Sequence, residues 1–271
     1  MSNFLDRSTL LSWRWRQDWV CLLTRFCTLF FFVTQVVVFA EQQESPYGRL
    51  LGESIQLINS KRLEAAEQKL VDLAQNSLGG RKSDTWHVLS VLKLQQGRHE
   101  DGYEFSRKAI ELAGSNNNEL IPDYFSTGAD HALKLGKTGE CKALLETSIA
   151  KWPEHAPSLQ LMGKVFQYNI ARELIAKGEK DVDTLNAVYL EAIKYYERYL
   201  HVKPHDHGVR NDLALLLLRF PDRISDGEKH FETAIAGKNI FAITNYASYL
   251  NTKGQREKSL ELYVQYYQSN F

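Results

Sequence analysis

The sequence predicts an all-α fold, a superhelical solenoid of about six helical hairpins that follows an N-terminal hydrophobic segment. The first observation is the 34-residue stretch Ser83–Asn116, in which two short amphipathic segments flank Gly97. Apolar residues recur in each segment with the period of a helix, and glycine favours a chain reversal between them. The second observation is that comparable pairs of segments recur from Tyr47 to the C-terminus. The third is that 44% of the residues are hydrophobic, enough for a sizeable helical core.

The stretch Ser83–Asn116 carries the clearest pattern of residue sizes. Bulky, leucine, small, glycine, small and alanine residues occupy positions 4, 7, 8, 15, 20 and 27 of the unit: Trp86, Leu89, Ser90, Gly97, Gly102 and Ala109. This spacing resembles the tetratricopeptide repeat, a helix–turn–helix unit of 34 residues. The resemblance implies a scaffold that binds proteins or peptides, without indicating which ones.

Six hairpins are predicted along the chain, over residues 47–80, 83–116, 122–155, 156–206, 208–239 and 240–271. The fourth is the longest, because the second-helix pattern that starts at Ala192 comes 17 residues later than the repeat length requires. This insertion, near residues 175–190, is polar and compatible with lengthened helices, either as a surface extension or as part of a functional face. Each hairpin buries its apolar face only against its neighbours, so residues 47–271 are predicted to form one repeat domain.

Residues 1–40 are predicted to be a targeting segment, and residues 41–46 a linker. Residues 26–40 form an uncharged apolar run of 15 residues. A membrane-spanning helix needs about 20 such residues, whereas the core of a signal peptide is shorter. Residues 1–40 therefore have three interpretations: a signal peptide cleaved after Ala40, an uncleaved anchor that extends back to Trp19, or a mitochondrial targeting segment. The first two place the repeats in a secretory or extracytoplasmic compartment (periplasm, lumen or secreted), free or anchored across a membrane.

The charge balance bears on the class of partner. The chain has 33 basic and 33 acidic residues, so its formal net charge is zero. Nucleic acids attract strongly basic surfaces, and a neutral chain gives no electrostatic support for such a partner. A protein or peptide partner is therefore predicted, with membrane association only through the N-terminus.

Two local patterns are typical of ligand sites. Gly136-Lys137-Thr138 matches the end of a phosphate-binding loop, but His131 stands where that loop needs its first glycine. His201, His205 and His207 have a spacing that could hold zinc or copper. They follow one another across a proline-containing turn with no fourth ligand nearby, which favours solvated loop histidines. No metal site and no cofactor is predicted.

Cys141 is the single cysteine of the repeat region. It could be a nucleophile, but it occupies a position where the resemblance implies a small side chain packed between helices. A buried, unreactive thiol is the expectation. No other catalytic motif is found in the sequence, so the protein is predicted not to be an enzyme.

The resemblance also implies a partner-binding surface, because the first helices of successive repeats in this family line a concave groove. The groove residues that it implies are His87, Val91, Gln95, Ser126, Asp130, Lys134, Gln160, Lys164, Tyr168, Thr244, Asn245 and Ser248. Their polar character suits an extended peptide held through its backbone, although each could also be part of a solvated helix face. The predicted function is a non-catalytic scaffold or adaptor. The alternative is an accessory subunit that presents substrate to an enzyme.

The last hairpin is predicted to form a second interface. Repeat arrays usually end in a polar capping helix, whereas this sequence ends in aromatic residues. Tyr263, Tyr266, Tyr267 and Phe271 are expected to dock against a partner or a second copy of the chain.

Overall fold

The computed structural model describes residues 45–114 and 121–270. The predicted targeting segment, most of the linker and Phe271 lie outside the described residues. Within them, every regular element is helical, in agreement with the predicted all-α repeats. None of the helices in this part of the chain is both long and apolar enough to cross a membrane.

The chain divides into two compact units, with the boundary after Arg81. From residue 45 onward, the first unit contains one hairpin, made of α1 (Pro46–Asn59) and α2 (Leu63–Gln75). Helix α1 begins after Ser45, whose Oγ accepts a hydrogen bond from the Gly48 amide at 3.0 Å. This contact satisfies one of the amides that a helix N-terminus leaves without a partner.

The second unit contains the remaining helices. They are α3 (Ser83–Gln96), α4 (His99–Ala113), α5 (Ile121–Lys134), α6 (Thr138–Lys151), α7 (Ala156–Lys164), α8 (Ala171–Ala176), α9 (Val182–Val202), α10 (His207–Leu217), α11 (Ile224–Ala236), α12 (Ile240–Thr252) and α13 (Arg256–Asn270). The π-helical segment Val165–Ile170 connects α7 to α8, and a 3₁₀ turn, Pro221–Arg223, precedes α11. First helices of consecutive hairpins also contact each other: α3 with α5, α5 with α7, and α10 with α12.

Small residues allow paired helices to approach closely. A Cβ atom on Gly102 in α4 would lie 2.1 Å from Cε1 of His131 in α5. A Cβ on Gly163 in α7 would lie 2.4 Å from Cε1 of Tyr196 in α9. Since real Cβ atoms essentially never come this near to another heavy atom, glycine is required at both crossings.

The fourth hairpin is lengthened at its turn. The continuous helical stretch from Ala156 to Ala176 is followed by a short loop and by the 21-residue helix α9. Asp181 caps α9, because its Oδ2 accepts a hydrogen bond from the Thr184 amide at 3.0 Å. Ile175 and Val182, on either side of the loop, are 53% and 65% exposed, so the end of this hairpin lies outside the core.

Candidate protein-binding groove

A groove with a volume of about 410 Å³ lies on the first helices of the last three hairpins, open to solvent. Gln160, Lys164 and Tyr168 come from α7 and the π-helical segment; Asp206, Gly208, Val209, Asn211, Asp212 and Leu215 come from α10 and its N-cap; and Asn239, Phe241 and Asn245 come from α12 and its N-cap. We call this feature the α7–α10–α12 groove.

Two carboxamides and a carboxylate form a hydrogen-bonded chain in the groove. Nδ2 of Asn245 donates to Oδ1 of Asn211 at 3.0 Å, and Nδ2 of Asn211 donates to Oδ1 of Asp212 at 3.2 Å. Burial raises the pKa of the Asp212 carboxyl, while the Asn211 hydrogen bond and the Lys164 ammonium oppose that effect. The groove thus presents amide groups together with one positive side chain, Lys164, and two negative side chains, Asp206 and Asp212.

Aromatic side chains flank these polar groups. The Tyr168 side chain is 42% exposed and Phe241 is 72% exposed. An exposed phenyl ring beside oriented amides offers apolar area that a bound partner can remove from water. The groove therefore combines the two kinds of contact that a polypeptide segment can make.

Two other side chains of the lining, Asp206 and Asn239, form hydrogen bonds to backbone amides at helix N-termini. Oδ1 of Asp206 accepts hydrogen bonds from the Gly208 and Val209 amides, both at 3.0 Å, and caps α10. Oδ1 of Asn239 caps α12 in the same way, because it accepts a hydrogen bond from the Ala242 amide at 2.8 Å. These contacts hold the starts of α10 and α12 in place, so they shape the groove rather than offer it free acceptors.

Only some of the groove residues that the repeat register implies lie in the α7–α10–α12 groove. Gln160, Lys164, Tyr168 and Asn245 line the groove together. Thr244 and Ser248 lie on α12 outside its lining, and the Thr244 hydroxyl donates to the Phe241 carbonyl at 3.1 Å. The other implied residues lie on α3 and α5, also outside the groove: His87, Val91, Gln95, Ser126, Asp130 and Lys134. Whether any of them contacts a partner stays a prediction.

Sequence reasoning missed the contribution of the fifth hairpin, although the signal was present. Leu213 and Ala214 match the leucine and small-residue positions 7 and 8 of the repeat. Counting from them places Gly208, Asn211, Asp212 and Leu215 at groove positions 2, 5, 6 and 9, and all four line the groove. Phe241 holds position 2 of the sixth hairpin and was missed in the same way.

A second polar cluster lies on α3 and α5. The His87 ring packs on Tyr124 with centroids 4.5 Å apart, and the Tyr124 hydroxyl donates to Oδ1 of Asp84. Nδ1 of His87 is buried and has no hydrogen-bond partner among the described residues. Burial lowers the pKa of His87 to about 4, against the opposing influence of Asp123 and Asp84. His87 is therefore a neutral imidazole at physiological pH.

Three residues nearby are of the types found in a hydrolytic triad, but the two ring nitrogens of the histidine have exchanged partners. Oγ of Ser158 lies 2.8 Å from Nδ1 of His155, and Nε2 of His155 lies 3.2 Å from Oδ1 of Asp123. A nucleophile must meet its substrate, however, and Ser158 is fully buried with its Oγ also 2.8 Å from that of Ser148. This hydrogen-bonded chain connects α5, α6 and α7 and is structural.

Cys141 is buried, as expected from its repeat position. Burial, with a further effect of Asp130, raises the pKa of its thiol to about 12, so almost no thiolate is present at neutral pH. We expect Cys141 to resist iodoacetamide in the native full-length chain at pH 7.5 and to react in urea. Peptide mass spectrometry measures this at Cys141 itself, and rapid modification of the native chain would contradict the assignment.

The three histidines whose spacing could hold a metal lie around the start of α10: His201 in the last turn of α9, His205 in the loop and His207 at the first position of α10. His201 and His205 are exposed, whereas Nδ1 of His207 is buried and the ring packs against Gly237. Within the ranges that the structure describes, no three His, Cys, Asp or Glu side chains are arranged to hold a metal ion.

The last helix carries an exposed apolar stripe. Leu260, Val264 and Tyr267 are 64%, 45% and 59% exposed and follow the helical period along α13. Tyr263 and Tyr266 are half-buried. Docking of a partner or of a second copy on this stripe stays a prediction.

Comparisons with known proteins give similarity at the level of structure. No protein-family model matches the sequence, and no curated protein matches it. A solved structure of PilF from Pseudomonas aeruginosa aligns with a TM-score of 0.63 at 13% identity, covering 84% of this chain and 94% of PilF. MamA from Desulfovibrio magneticus RS-1 aligns with a TM-score of 0.52 at 14% identity, covering 72% and 96%.

A third similar structure is that of IFIT1, solved as a monomeric mutant with Gppp-AAAA. It aligns with a TM-score of 0.63 at 13% identity, and this chain spans about half of IFIT1, 54% of its length. Identities this low show the fold alone. The helical hairpins, the small residues at their crossings and these structural neighbours agree that the chain has the tetratricopeptide-repeat fold.

Proposed function

We propose that the protein is a non-catalytic scaffold that holds an extended segment of a partner protein in the α7–α10–α12 groove. The observation that carries this proposal is that the exposed Phe241 ring and the Asn245 amide line one groove, in which the buried Asn211 holds the Asn245 amide through a hydrogen bond. A peptide backbone offers donors and acceptors to such amides, and an apolar side chain of the peptide can cover the ring. The lining has one lysine, Lys164, against two carboxylates, Asp206 and Asp212, so its net charge is small and favours a partner segment without a strong net charge.

Phe241→Ala is expected to weaken peptide binding five- to thirtyfold, or about 1–2 kcal/mol, because exposed aromatic residues supply much of the binding energy in protein interfaces. Linear peptides selected from a random library on the full-length chain serve as ligands, and fluorescence anisotropy measures their affinity. Asn245→Ala is expected to act in the same direction, through loss of an amide contact.

Matched variants outside the groove make the test specific. Ile175→Ala removes an exposed apolar side chain from the turn of the fourth hairpin, and Asn186→Ala removes a carboxamide from α9. Both are expected to bind the selected peptides as the unsubstituted chain does. If Phe241→Ala and Asn245→Ala bind them equally well, the groove is not the binding site.

The proposal includes a location at or beyond a membrane, supported by the apolar run of residues 26–40. Intact mass and fractionation of the native protein test it: a soluble chain that begins at Glu41 would establish export, and a full-length membrane-bound chain would establish an anchor. A soluble full-length chain in the cytosol would refute both. Stable co-purification with a catalytic polypeptide would instead favour the role of substrate-presenting subunit.

A further inference from the structure

A second cavity, of about 270 Å³, lies beside α10 and α11 and shares no lining residue with the α7–α10–α12 groove. Its lining consists of Arg210, Arg223, Asp226, Lys229, His230 and Thr233. We call it the basic cleft. Four of these six side chains are of basic type in a chain whose net charge is zero.

Arg210 lies in the basic cleft with part of its guanidinium group unsatisfied. Nη2 donates to the Pro204 carbonyl at 2.5 Å, and Nη1 lies 3.2 Å from Nδ1 of His230. A guanidinium only donates hydrogen bonds, so Nδ1 of His230 must accept and the neutral ring carries its proton on Nε2. Nε of Arg210 is buried and has no hydrogen-bond partner in the described part of the chain.

The acidic residues around the cleft are already engaged. Arg223 pairs with Glu197 at 2.9 Å and with Asp226 at 3.0 Å. Neither Arg210 nor Lys229 forms an ion pair with any residue in the ranges 45–114 and 121–270. Two positive charges therefore face the cleft without a carboxylate partner.

We infer that the basic cleft binds a phosphate group. A buried N–H donor without an acceptor is costly, and an oxyanion at Nε of Arg210 would satisfy it with a charge-assisted hydrogen bond. The Lys229 ammonium supplies a second positive charge, and the N–H groups of Arg210 and Lys229 together suit the three strong acceptor oxygens of a phosphate group. The Thr233 hydroxyl already donates to the Lys229 carbonyl at 2.8 Å, so Arg210, Lys229 and His230 are the donors left for the ligand.

Isothermal titration calorimetry of the full-length chain with inorganic phosphate, at pH 7.5 and constant ionic strength, tests whether the basic cleft binds phosphate. Saturable binding is expected, and Lys229→Gln is expected to weaken it at least about tenfold, the usual size of a charge-assisted contact. Arg210→Gln is expected to do the same. Lys229 is exposed and makes no ion pair among the described residues, so its substitution leaves the fold intact even if Arg210→Gln does not.

Two controls separate this site from other effects. Lys180→Gln removes an exposed charge from the loop before α9, and Phe241→Ala alters only the groove; both are expected to bind phosphate as the unsubstituted chain does. Absence of saturable binding, or equal affinity in the Lys229→Gln and Lys180→Gln chains, would overturn the assignment.

The source of the phosphate group is distinguished with a second probe. A short peptide that contains phosphoserine is titrated beside inorganic phosphate under the same conditions. Tighter binding of the peptide, lost in Lys229→Gln, supports the site as a reader of a phosphorylated side chain. Tighter binding of inorganic phosphate, with the same loss, supports a site for the free anion.

Discussion

Gly102→Ala is expected to destabilise the full-length chain by about 2 to 3 kcal/mol. The added methyl group would lie 2.1 Å from Cε1 of His131, and the ring cannot move aside without loss of its contact from Nε2 to the Ser90 carbonyl at 3.0 Å. Overpacking costs about 1–3 kcal/mol and a buried unsatisfied polar group a similar amount, against a gain of about 1 kcal/mol in helix propensity. Urea unfolding followed by circular dichroism measures the change.

Gly139→Ala is the matched control for this prediction. Gly139 lies in the first turn of α6, and a Cβ there would meet no atom within 4 Å. Alanine is therefore expected to leave stability unchanged or to raise it by up to about 1 kcal/mol. Equal midpoints for Gly102→Ala and Gly139→Ala would show that the close contact with His131 is not a constraint.

Mild acid is expected to destabilise the protein through its buried imidazoles. His87 has a folded-state pKa of about 4, below the ordinary value of 6.5, because burial disfavours the charged ring more than Asp123 and Asp84 favour it. The unfolded chain binds a proton near pH 6.5 and the folded chain does not. The contribution of the neutral His87 to the free energy of unfolding is therefore fully present above pH 6.5 and is lost as the pH decreases to about 4. The total loss from this group is up to about 3 kcal/mol.

His131 is expected to add to this effect. Burial lowers its pKa, and the nearby His99 adds to the lowering. Nε2 of His131 donates to the Ser90 carbonyl, so its neutral ring accepts at Nδ1, which lies 3.4 Å from Nδ1 of His99. Nδ1 of His99 is the donor to this unprotonated Nδ1 of His131. Protonation of His131 adds an N–H at its Nδ1, so two N–H groups would then face each other.

Urea unfolding at several pH values between 7.5 and 4.5 tests the role of His87. His87→Phe retains an aromatic ring beside Tyr124 and removes the titrating group, so its stability is expected to fall less over this range. His205→Gln, which removes an exposed imidazole, is the matched control. If the free energy of unfolding decreases as steeply between pH 7.5 and 4.5 in His87→Phe as in the unsubstituted chain, His87 is not a source of the acid sensitivity.

Part of the candidate groove was predictable because repeat register turns position along the chain into position in space. Gln160, Lys164, Tyr168 and Asn245 were predicted at groove positions, and they line the same groove in the structure. Phe241 and Asn211 hold equivalent positions but could have been solvated helix faces as readily as groove residues. The exposure of Phe241, the burial of Asn211 and the hydrogen bond between Asn245 and Asn211 depend on how closely α10 and α12 approach.

The all-α hairpins follow from the sequence alone, since helical periodicity and the small residue at Gly102 are local features that any stack of such hairpins needs. The packing of the helices decides which side chain each small residue faces, and Gly102 faces the imidazole of His131 rather than an apolar side chain. It likewise decides that Arg210 and Lys229 lack carboxylate partners in the described residues while Arg223 has two. Contacts between residues that are distant in the chain, such as Gly102 with His131 and Arg223 with Glu197, depend on side-chain orientation across packed helices, which periodicity does not specify.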